Sequence, residues 1–130
     1  MLPLRYPRLW MMTGWLLVAA IVVGSVIPDT PLRGFDFSDK FQHAFSYGLL
    51  MIWFAGLYSR DRHPWIALTV LTLGVALEIV QSRLPYRSFD PVDILADAGG
   101  VLVGFGLSFW LLAGWCLRIE QRLTSRNARH

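Results

Sequence analysis

Four long stretches without a charged side chain alternate with short polar segments along this chain: Leu9 to Pro28, Phe41 to Ser59, Pro64 to Leu77 and Ala98 to Leu117. They are apolar nearly all round and lack the one-faced pattern of a helix that packs on a soluble core. Crossing a hydrocarbon core of ~30 Å takes roughly 20 residues of helix. Three stretches are near that length, and the one from Pro64 reaches it by admitting Glu78 and running on to Gln81. The pattern predicts an all-α membrane protein, a four-transmembrane-helix bundle forming a single domain over residues 1–130. Its helices are expected over about 9–27, 39–58, 64–82 and 91–117, with a basic cytoplasmic tail over 118–130.

Local signals mark the helix ends. Ser38 is an N-cap type at the start of the second helix. Pro85 disfavours helix in the residue before it, so the third helix stops short of it. Asp90-Pro91 combines an N-cap side chain with a proline at the first helical position.

Composition changes the picture mainly through charge placement. Of the 130 residues, 55% are hydrophobic and 16% charged, and the formal net charge of +3 resides in loops and tails. That distribution bears on membrane orientation rather than nucleic-acid binding. Arg5 and Arg8 resemble the basic start of a signal peptide, but the apolar run is long for one and no small-x-small cleavage site precedes Pro28, so an uncleaved first helix is expected. Arg5, Arg8, Arg60, Arg62, Arg118, Arg122, Arg126 and Arg129 fall on one side of the four helices. Arg33, Lys40, Arg83 and Arg87 fall on the other, in loops that also carry acids. The positive-inside rule then puts both termini in the cytoplasm. Trp10, Tyr58, Trp65 and Trp115 fall at the inner interface; Phe37, Phe41, Tyr86 and Phe89 flank the outer one. The arginine-rich tail suits anionic lipid heads. Cys116, alone, reads as a small apolar filler.

Polar residues inside apolar helices are costly and mark sites. Glu78 is the only charged side chain between Pro64 and Ser82. Asp39, His43 and Tyr47 share one helix face at four-residue spacing. With 1.5 Å of rise per residue, His43 lies roughly 7 Å below the start of its helix, Glu78 about 8 to 10 Å below the end of its own, and Asp97 roughly 10 Å down the fourth helix. The three therefore fall at one level of the outer leaflet. Facing inward they can share protons or pair with His43, Arg83, Arg87 or Lys40, whereas facing lipid they are uncompensated. Ala96, Gly100, Gly104 and Ser108 form a small-residue stripe that lets another helix approach closely.

Each residue also has a plainer reading. Glu78 can be a protonated structural carboxylate and His43 a satisfied core histidine. Tyr47 can be a core aromatic with a bonded hydroxyl. Asp90 reads as a cap and Asp93 as a first-turn charge suited to the helix dipole. Gln81 either holds Glu78 or joins helices. Arg87 is a loop charge or a bidentate ligand for phosphate or carboxylate. No His-Glu-x-x-His run, P-loop, dinucleotide fingerprint or Gly-x-Ser-x-Gly elbow occurs, and no metal or other cofactor is expected. His43, Glu78 and Asp97 in a low-dielectric pocket could act as acid and base, or simply bind a head group.

Asp39-Lys40-x-x-His43-x-x-x-Tyr47, then Glu78-x-x-Gln81, then Arg87-x-x-Asp90-x-x-Asp93-x-x-x-Asp97-x-x-Gly100-x-x-x-Gly104, resembles the VanZ-like family of bacterial membrane proteins over about residues 36–106. At Asp97 the family more often has Asn. The resemblance implies a bacterial cytoplasmic (inner) membrane protein with an envelope role, since the founding member is associated with resistance to teicoplanin. Substrate-binding candidates on that basis are Asp39, Lys40, His43, Tyr47, Glu78, Gln81, Arg87, Asp93 and Asp97, with Gly100 and Gly104 packing helices. Three functions follow: a pocket that recognises a lipid-linked cell-wall precursor, a lipid head group or a glycopeptide; an enzyme acting on such a lipid through Glu78, His43 and Asp97; or a structural or assembly subunit. Expected partners are membrane lipids, and a carrier of this size would need a homodimer.

Overall fold

The computed structural model describes residues 1–28 and 36–127, with residues 36–38 and 126–127 described by backbone alone. The described residues contain five α-helices and no strand: α1 Pro7–Val26, α2 Asp36–Leu57, α3 His63–Gln81, α4 Pro91–Trp110 and α5 Trp115–Asn127, with a 3-10 turn at Arg60–Arg62 between α2 and α3. Arg33 and Arg129, used in the charge count, lie outside the described residues, as do the side chains of Phe37, Ser38 and Arg126.

Prolines punctuate three starts. Pro7, Pro64 and Pro91 sit in the first turns of α1, α3 and α4, where a missing N–H costs nothing. The Asp90 carboxylate accepts the Val92 amide (2.9 Å) and caps α4. Ile27, just before Pro28, turns extended and ends α1. Two expectations change. α2 begins at Asp36, so Ser38 lies inside the helix rather than at its cap. The fourth helix does not run from 91 to 117: it ends at Trp110, and after a turn the chain re-enters a helix at Trp115. Gly114 makes this possible with φ +65°, a conformation that side chains other than glycine rarely adopt. Of the segment expected as a basic tail, residues 118–127 thereby belong to an amphipathic helix, with Cys116 and Glu120 buried and Arg118 and Arg122 exposed.

α2 is the central element and touches α1, α3, α4 and α5. Its approach to α4 is a backbone contact. A Cβ on Gly100 would overlap the Ala44 carbonyl, and one on Gly104 would lie 2.7 Å from the Gly48 oxygen. Tyr47, Leu50, Met51, Ala55, Val70 and Val101 fill the interior. The outside is as apolar as the inside: Trp15, Leu16, Phe41, Trp65, Leu102 and Trp110 are all exposed. α1 buries only Gly14. α1, the segment 60–81 and α4 are long and apolar enough to cross a membrane; α2 is as long but starts with polar residues. These features are those of a membrane protein, whose exterior is solvated by lipid.

At one end of the structure, tryptophans gather. Trp10 packs against Trp53 and Trp115, and the Trp115 indole donates to the Ile52 carbonyl (3.0 Å). Glu120 secures the chain's first residues here. Its carboxylate accepts the Arg5 amide, the Tyr6 amide (3.0 Å) and the Trp10 indole N–H (2.8 Å). Burial works against its charge, but these donors and the Arg5 charge outweigh it and hold the carboxyl below the usual glutamate range. A depressed value means that the clamp is fully present above the ordinary glutamate pKa and is lost as pH falls through the folded value. Acidification through that lowered value is therefore expected to release residues 1–6. Limited proteolysis at neutral and acid pH checks this, and Glu120→Gln should show the released pattern at both. Burial also pushes the Cys116 thiol up to about 12, which leaves it unreactive at neutral pH.

Candidate functional site

The opposite end is polar. Here the start of α2, the start of α4, the end of α3 and the Ser82–Asp90 loop converge. Lys40 reaches across from α2 and donates to Asp90 Oδ2 (2.8 Å) and Asp93 Oδ1 (2.9 Å). The Lys40 ammonium, aided by the Val92 amide, holds the Asp90 carboxyl below the usual aspartate range.

One turn further into the bundle, His43 meets Asp97. The His43 Nδ1 lies 2.9 Å from Asp97 Oδ1. The ring's other nitrogen, Nε2, faces Asp93 Oδ2 at 3.9 Å. The ring lies nearly parallel to Tyr47, with 6.5 Å between centroids. Asp97 and Tyr47 are almost fully buried. Gly74 on α3 makes that burial possible: a Cβ there would stand 2.8 Å from Asp97 Oδ2 and 3.1 Å from the Tyr47 ring.

Glu78 sits one turn from Gly74 and is 2% exposed. Its Oε1 accepts the Asp90 backbone N–H at 2.7 Å. The three residues expected at one level thus divide: His43 and Asp97 bond to each other, and Glu78 anchors the residue that caps α4. Gln81 does not serve Glu78. Its side-chain amide donates to the Ser25 carbonyl (2.9 Å) and joins α3 to α1, and the Tyr86 hydroxyl ties the following loop to the Val26 carbonyl (2.6 Å).

A cavity of about 230 Å³ opens beside this network between α1, α2 and α3. Asp39, Gln42, His43, Tyr47, Gln81 and Arg87 supply polar groups to its wall, which includes neither Glu78 nor Asp97. Hollows of about 410 and 350 Å³ elsewhere are lined almost wholly by apolar side chains, with few groups to orient a ligand. The cavity beside the His43–Asp97 pair is the candidate site.

The family described as VanZ/LLP1 matches residues 8–112. The chain belongs to the VanZ/LLP1 family. That match takes in every polar-end residue and stops before α5 and Glu120. An uncharacterized protein of Schizosaccharomyces pombe is 31% identical over 87 residues, 64% of this chain and 54% of that protein. The chain therefore spans about half the length of the curated relative it matches. No solved structure matches the chain. Within this VanZ/LLP1 chain, three residues went unsingled in the sequence: Gly74, Gly56 and Glu120. Gly74 is one glycine in an apolar run. Gly56 looked equally ordinary, yet the Trp115 indole occupies the space of its missing side chain. Glu120 sat among arginines and looked like a solvated charge; its four-residue spacing from buried Cys116 was the available signal.

Proposed function

We propose that this VanZ/LLP1 protein is a four-span integral protein of a bacterial cytoplasmic membrane that recognises the head group of an amphiphile from the outer leaflet. The observation that carries the reading is the polar cavity, which opens among otherwise apolar helices and has the His43–Asp97 pair at its wall. Fitting ligands are a lipid-linked envelope precursor, a lipid head group or a glycopeptide of the teicoplanin type. α2 serves as the fourth span, since it is 22 residues long and packs against α1, α3 and α4. Arginine placement supports a cytoplasmic tryptophan end and an exterior polar end.

A second reading, an enzyme acting on such a lipid, draws on the same pair. Asp97 orients the imidazole so that Nε2 can take or return a proton. Two measurements test these readings. Reporter fusions within residues 29–40 should report the exterior; a cytoplasmic signal there overturns the orientation. Mass spectrometry of the purified protein should find a co-purifying amphiphile that His43→Ala loses while abundance holds. Retention unchanged by both His43→Ala and Asp97→Asn would remove the pocket from the function. Turnover of the retained lipid by wild type alone selects the enzyme.

A further inference from the structure

The geometry points to a divalent transition-metal site of the zinc or manganese class on Asp39, His43 and Asp93. One ligand atom from each lies within 4.8 Å of the other two. Two come from consecutive turns of α2 and the third from the first turn of α4, so the donors are set by the tightest helix contact in the protein. Donors around a shared ion at ~2.1 Å span up to about 4.2 Å, which leaves small side-chain rotations to complete the set.

The second observation is the placement of His43. The Asp97 carboxyl lies behind the ring, 2.9 Å from Nδ1. This is the carboxylate–histidine arrangement that fixes the tautomer of a metal-binding imidazole and turns the other nitrogen's lone pair toward the ion. Here Nε2 faces Asp93 Oδ2 across 3.9 Å, too far for a hydrogen bond and a span that a cation bridges. Lys40 occupies the other Asp93 oxygen (2.9 Å), so Asp93 would bind through Oδ2 alone.

Asp39 and His43 also line the cavity of about 230 Å³, which provides an entry path and room for open coordination positions. An imidazole with two carboxylates suits zinc or manganese better than magnesium or calcium, which favour all-oxygen sets. The inference stands apart from amphiphile recognition, because metal retention and lipid retention are read separately in one preparation.

The test uses the full chain purified in nanodiscs without a polyhistidine tag, stripped with EDTA and dialysed against Zn2+ or Mn2+. Wild type should retain about one ion per chain and gain thermal stability from it. His43→Ala and Asp93→Asn should fall to background and lose the stability gain. Asp97→Asn should weaken retention by about 10- to 100-fold, since it leaves all three ligands in place. Asp61→Asn, in the loop at the other end, should match wild type. Should His43→Ala fail to fold, Asp39→Asn decides by the same criterion. Wild type that retains neither ion, or ligand variants that retain as much as wild type, would overturn the site.

Discussion

Gly100→Ala is expected to remove most of the folded protein. The added methyl would occupy the place of the Ala44 carbonyl oxygen, and both partners are backbone, so no rotamer relieves the overlap. α2 and α4 must then move apart by more than an ångström. Three bonds bridge the same two helices: Lys40 to Asp93, Lys40 to Asp90 at the cap, and His43 to Asp97. Hydrogen bonds of that length do not survive such a shift. Overpacking alone costs about 1–3 kcal/mol, and the lost bonds place this variant at or beyond the top of that range. Gly99→Ala is the control, since a Cβ there meets nothing within 4 Å. The yield of monodisperse protein after mild detergent extraction, with its melting temperature, reads the difference. Equal yields from the two variants would refute the close approach.

Glu78→Ala is the second large effect, and its contrast with Glu78→Gln is the informative part. Alanine leaves the Asp90 amide without its acceptor and opens a void among buried groups. An unsatisfied buried donor costs about 1–3 kcal/mol. Because Asp90 caps α4 and holds Lys40, loosening it disturbs the whole polar end. Glutamine keeps an oxygen at the same reach, so Glu78→Gln should recover most of the lost abundance and melting temperature. That outcome assigns Glu78 to positioning α4. Normal abundance of Glu78→Ala, combined with loss of the co-purifying amphiphile, would return it to the ligand itself.

These contrasts show how far a sequence reads. The depth of each polar side chain followed from helical rise, because 1.5 Å per residue holds in any helix. Depth placed His43, Glu78 and Asp97 at one level but did not say which would bond. Rotation about each helix axis decides that, and it is set by packing between segments remote in the chain. Gly74 illustrates the mechanism. Its missing side chain lets α3 lie close enough to cover Asp97 and Tyr47, while Glu78, one turn on, meets the Asp90 amide instead of His43. The break at Leu111–Gly114 is not legible in the sequence, because the run from Ala98 to Leu117 is apolar throughout and a glycine in such a run reads as tolerated helix.

By itself, then, the sequence determined the helical class, the apolar stretches that suit a membrane, the Asp90-Pro91 start of α4 and the shared face of Asp39, His43 and Tyr47. These depend on periodicity and on local backbone chemistry, which neighbours in sequence settle. Only the tertiary structure decided that Asp97 pairs with His43, that Glu78 holds the Asp90 amide, that Lys40 bridges two aspartates and that Glu120 clamps the first residues. Each of these joins partners far apart in the chain. Their pairing follows from how closely the helices approach and how each is turned, and no local pattern carries that information.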